Sequence, residues 1–175
     1  MLRAILMTVV VLFNFILQSS LWRTLEIFGV IPNTALIIVI SYAIVRDDVE
    51  GAMLGFFAGL LPDVFYGSLV GLTSLLFVII GYLAGKPFRH MFRETVLLPL
   101  VLVAVSTVLF RIAWFGGTLL LEGFREFDVF FSRRVLPELA YTLAVTVPIY
   151  KFIRWLNKRL DKKKDTKSGL KMEID

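Results

Sequence analysis

EGAMLGFFAGLLPDVFYGSLVGLTSLLFVIIGYLAG, residues 50–85, decides how this chain is read. As a single α-helix it would be about 54 Å long at ~1.5 Å per residue. A bilayer hydrocarbon core is only about 30 Å thick. The stretch must therefore fold back on itself, and Gly67-Ser68-Leu69-Val70-Gly71 supplies the turn. Two slightly short spans result, at 50–66 and 70–85, which local thinning of the bilayer or burial inside a bundle accommodates.

The rest of the chain follows the same pattern. Apolar runs at 4–21, 28–45, 96–121 and 135–155 complete a set of six, with Pro32 near the start of the second. The chain is 58% hydrophobic and only 19% charged, and its mean hydropathy is +0.81. That composition fits lipid as the solvent better than water. Helices are expected, because a backbone in lipid must satisfy its own hydrogen bonds, and the alternation of a membrane β-strand is absent. The expectation is an all-α membrane protein with six transmembrane helices. It divides into a transmembrane domain at 1–157 and a basic cytoplasmic tail at 158–175. The first run follows Arg3 and lacks an A-x-A-like cleavage site, so it reads as a retained helix.

Charge sets the orientation. With both termini inside, Arg3, Arg46, Lys86, Arg89, Arg93 and every Lys and Arg from Lys151 onward lie in the cytoplasm. Only Arg23, Arg125, Arg133 and Arg134 lie outside, as the positive-inside rule requires. Trp22 and Trp155 fall near opposite interfaces. The tail reads as a solvated, partly disordered end that enforces topology. Its alternative role is attraction to anionic lipid or an acidic partner. No nucleic-acid partner is implied.

The third run is the richest. Gly51, Gly55 and Gly59 recur every fourth residue, and Gly67 and Gly71 continue the rhythm. Small residues at that spacing let a second helix approach closely, whether from this chain or from another protein. Pro62 removes a helix hydrogen bond and clashes with the Ala58 carbonyl, so a kink or break is expected there. Asp63 then lies in the outer half of the membrane, where a carboxylate needs a partner. At ~1.5 Å per residue Asp63 sits about 21 Å from the inner edge and Arg111 about 24 Å, with Glu138 at a similar depth. An outward-facing polar cluster of Asp63, Arg111 and Glu138, with Tyr66 and Tyr141, is expected. Its plain role is a structural ion pair, and its functional role a cavity for a ligand or a partner residue. The outer loop at 122–134 carries Phe124, Phe127, Phe130 and Phe131, and reads as an amphipathic segment on the membrane surface that offers a partner contact.

Enzyme signatures are missing: there is no H-E-x-x-H, no Gly-x-Ser-x-Gly and no phosphate-binding loop. With no cysteine and one histidine, His90 in a basic loop, neither a metal nor another cofactor is expected. The chain is not expected to be an enzyme.

Gly59-Leu60-Leu61-Pro62-Asp63, Tyr66-Gly67, Gly71 and Tyr82, followed by Pro137, Tyr141 and Pro148 in the last run, resemble the MreD family of bacterial rod-shape proteins in order and spacing. The resemblance implies a multi-pass inner-membrane component of the cell-elongation machinery, with no catalysis. It implies MreC as the direct partner. MreB, RodA and a class B penicillin-binding protein belong to the same complex, and the task is regulation of lateral peptidoglycan synthesis. The family fold is similar to the substrate-binding subunits of energy-coupling-factor transporters. That makes a vitamin-type importer subunit the competing reading.

Overall fold

The computed structural model describes residues 2–20, 30–66, 71–86, 96–122 and 135–172. Six helices follow in order: α1 (Leu2–Ser20), α2 (Thr34–Val45), α3 (Asp48–Tyr66), α4 (Leu72–Gly85), α5 (Leu97–Glu122) and α6 (Leu136–Met172). Each apolar run of the sequence carries one of them.

The boundaries have local causes. α2 starts later than its apolar run because Asn33 caps it: the Asn33 Oδ1 accepts from the Leu36 N–H at 3.1 Å. Pro32 stands just before that cap. Of the kink or break expected at Pro62, the break does not occur: α3 stays helical to Tyr66. α6 does not stop where the basic tail begins. It continues as helix to Met172, through residues expected to be partly disordered.

α2 is the axis of the fold. Every residue from Thr34 to Ile44 is buried, and the helix touches α1, α3, α4, α5 and α6. A helix apolar on all sides belongs inside a protein. Around it the core adds Leu54 and Ala58 of α3, Phe77 and Ile80 of α4, Val103 and Phe110 of α5, and Tyr150 and Ile153 of α6. Phe77 and Phe110 meet with ring centroids 5.5 Å apart.

The consecutive helices α2, α3 and α4 alternate in direction. Gly51 of α3 lies against Ala43 near the end of α2 and against Gly81 near the end of α4. Gly85 lies against Asp48. Asn33, before α2, reaches Thr142 early in α6. The ends of α2 and α4 therefore lie beside the start of α3, and α6 runs in the same sense as α2.

The exterior is apolar as well. Phe13 and Ile16 of α1, Met53, Phe57 and Phe65 of α3, Leu75 and Leu83 of α4, and Val101, Val105 and Leu109 of α5 are all exposed. Even so, among the described residues no helix is long and apolar enough to cross a membrane. Six helices were expected and six are present among the described residues, two of them short. α2 and α4 have only 12 and 14 residues. α3 carries Asp48, Glu50 and Asp63 in its 19. The apolar half of α6 is interrupted by Pro137, Glu138, Pro148 and Lys151.

Candidate functional site

The α3–α4 hairpin is built on missing side chains. A Cβ at Gly55 would lie 2.7 Å from the Phe77 carbonyl carbon, and one at Gly59 would lie 2.5 Å from the Ser74 Cα. A Cβ at Gly81 would lie 2.5 Å from the Gly51 carbonyl oxygen. Real side chains cannot occupy such positions, so the two backbones touch directly. The stripe Gly51, Gly55, Gly59 thus faces α4 of the same chain, with Gly51 also against Ala43 of α2. Gly81 and Gly85 answer it from α4, and the sequence reading had not singled them out.

Asp63 closes this hairpin. α4 begins at Gly71, whose φ of +96° suits glycine and which has no side chain to cap the helix. Asp63 supplies the missing cap from α3. Its Oδ2 accepts from the N–H groups of Gly71 and Ser74, each at 3.0 Å. Ser74 is the third helical residue, the usual recipient of a capping bond, and the positive end of the α4 dipole favours the carboxylate. The Ser74 hydroxyl in turn donates to the Phe56 carbonyl at 3.0 Å. These bonds tie α3 to α4 on either side of Pro62.

Asp63 therefore does not join Arg111, and the expected three-member cluster is not formed. What the structure brings together is Arg111 and Glu138. The Arg111 guanidinium reaches Glu138 Oε2 at 2.6 Å, linking α5 to the first turn of α6. Glu138 is fully buried, whereas Arg111 is partly exposed. Among the described residues, Glu138 Oε1, Arg111 Nε and the Thr34 hydroxyl have no hydrogen-bond partner. The backbone N–H of Asn33, next to Thr34, donates to the Thr142 hydroxyl at 3.4 Å, one helical turn beyond Glu138. Tyr141 is half-buried. The side chain of Tyr66, together with Gly67, Phe124, Phe127, Phe130 and Phe131, lies outside the described residues.

A third polar group had gone unnoticed in the sequence. At the opposite end of the bundle the Tyr42 hydroxyl donates to Glu50 Oε2 at 2.8 Å, and Arg46 Nε donates to the same oxygen at 3.2 Å. The spacing 42, 46, 50 was the available signal, because it is a helical repeat carried across a helix–helix junction.

A crevice between α1, α2 and α3, lined by Asn14, Gln18, Ala35 and Ala58, measures about 10 Å³, room for roughly one water. Among the described residues no cluster of His, Asp or Glu could hold a metal.

The family described as rod shape-determining protein MreD matches residues 1–160, and the chain belongs to it. No curated protein matches the chain. No solved structure matches it either, so the likeness to energy-coupling-factor subunits has no support.

Proposed function

We propose that this member of the MreD family is an integral membrane component of the bacterial cell-elongation machinery. It holds MreC in the membrane and helps regulate lateral peptidoglycan synthesis, alongside MreB, RodA and a class B penicillin-binding protein. Both termini lie in the cytoplasm. The family match across residues 1–160 is the observation that carries this reading.

The bundle offers a physical complement. Its exterior exposes Phe, Leu, Ile or Val on five helices, which is more than the scattered single apolar residues usual on a monomer in water. Lipid and a partner's membrane helix are the natural cover for it. The short helices α2 and α4 are compatible with this, because α2 is sheathed by its neighbours and α4 lies backbone to backbone on α3. Scaffolding, rather than catalysis, is the role that the family match favours.

Depletion in the native host, followed by microscopy in rich medium, tests the reading. Rods rounding up, with rescue by the intact chain, is the expected result. Rods that persist would overturn it. A vitamin requirement in minimal medium would revive the importer reading.

A further inference from the structure

We propose that the outer face of α6, where that helix leaves the bundle, is a binding site for the phosphate of an anionic phospholipid, built from Lys151, Trp155, Lys158 and Arg159. The inference rests on the membrane placement proposed above and adds a specific ligand to it.

The geometry comes from helical spacing. Residues 151, 152, 155, 158 and 159 lie on one stripe of a 3.6-residue helix, and all five are exposed. The opposite stripe, Tyr150, Ile153 and Asn157, is buried in the bundle at 1–2% exposure. The cationic stripe thus faces outward and is held rigidly by its other side. The helix carries no acid between Glu138 and Asp161.

The side chains are arranged for more than a diffuse positive field. Phe152 and Trp155 stack with centroids 6.1 Å apart and planes 27° from parallel. Arg159 lies over the Trp155 ring, its guanidinium carbon 4.5 Å from the centroid. An arginine held over an indole can still turn N–H groups outward, and a guanidinium edge matches two oxygens of a phosphate. Lys151 and Lys158 stand on either side of Trp155 along the helix, about 10 Å apart along the axis at ~1.5 Å per residue. An exposed indole beside such cations suits the headgroup layer, where amphipathic rings collect.

A second helix repeats the device. Tyr82 and Lys86 at the end of α4 have the same four-residue spacing, with the ammonium 4.7 Å from the ring centroid. α4 and α6 both run in the sense of α2, so both aromatic–cation pairs point to one side of the bundle.

The test uses the full chain purified in a neutral detergent, with native mass spectrometry and thermal unfolding as readouts. Phosphatidylglycerol should be retained in preference to phosphatidylcholine and should raise the unfolding temperature, and high salt should weaken both effects. The triple variant K151Q/K158Q/R159Q should lose retention by roughly fivefold per cation removed. R159K keeps the charge and removes the fork, and should lose part of the preference even if the triple variant folds poorly. Equal retention of the two lipids overturns the site, as does an R159K protein indistinguishable from the parent. Equal protection by soluble glycerophosphate or inorganic phosphate overturns the lipid as its source. Shape rescue is scored separately. Rescue without lipid preference removes only this site, whereas lipid preference without rescue removes the elongation role and leaves the site.

Discussion

The α3–α4 hairpin and the α5–α6 pair solve one problem in opposite ways. Both must hold two helices together where apolar surface gives little preference for one neighbour over another. The hairpin does it by subtraction. Glycines at 51, 55, 59, 81 and 85 bring backbones into contact, and its one buried charge, Asp63, is spent on two N–H groups of α4. The α5–α6 pair does it by opposite charge, and leaves Glu138 Oε1 and Arg111 Nε without partners among the described residues. Contact by shape is tolerant of its surroundings. Contact by buried charge depends on a single partner.

That contrast sets an order of sensitivity. Arg111→Met should have the largest effect, because it strands Glu138 as a buried carboxylate at a cost of about 3–5 kcal/mol. Thermal unfolding in detergent would register it. The double variant Arg111→Met/Glu138→Leu should recover most of the loss, since an apolar pair is often as stable as a buried ion pair. A single variant as stable as the parent would break the comparison outright.

Asp63→Ala comes next. It leaves the Gly71 and Ser74 N–H groups without their carboxylate and should cost about 1.5–3 kcal/mol, the range for hydrogen bonds to a charged group. Asp63→Asn keeps an acceptor oxygen and should cost less. If the two behave alike, the capping role is wrong.

Gly55→Ala should cost about 1–3 kcal/mol, the usual penalty for overpacking. The new methyl group meets the Phe77 backbone, which cannot rotate away as a side chain does. Gly116→Ala is the matched control: its Cβ meets nothing, and helix propensity favours alanine by about 0.8–1 kcal/mol. Equal melting points for the two variants would count against backbone contact between α3 and α4.

Tyr42→Phe should have the smallest effect, about 0.5–1.5 kcal/mol for one hydrogen bond. Glu50 keeps Arg46 as its second partner. A larger loss would mean that this end of the bundle depends on Tyr42 more than on charge.

The helices were legible because runs of apolar residues mark them whatever their neighbours do. The Asp63 partner was not legible. Rise per residue gives a group's depth, and Asp63 and Arg111 do have similar depths, but depth says nothing of direction around the helix. α3 packs chiefly on α4 and scarcely meets α5, so Asp63 points to the α4 N-terminus. The clue was Gly71, a helix start with no side chain to cap itself. The reach of α6 was hidden for another reason. Lys-rich sequence with Gly169 resembles a solvated coil, yet the helix persists to Met172. The central place of α2 was readable in principle, because no polar face interrupts Leu36 to Ile40.

That central place has a consequence for how the protein is made. α2 is second off the ribosome, and four of its five permanent neighbours are encoded after it. At ~5–20 residues per second of synthesis, α2 waits on the order of ten seconds before α6 exists to cover it. During that interval the most thoroughly enclosed helix of the finished protein still lacks one of its neighbours. Whatever machinery assembles this chain must shelter that flank of α2 until the last helix arrives, and a nascent chain cut short before Leu136 leaves one flank of its axis uncovered.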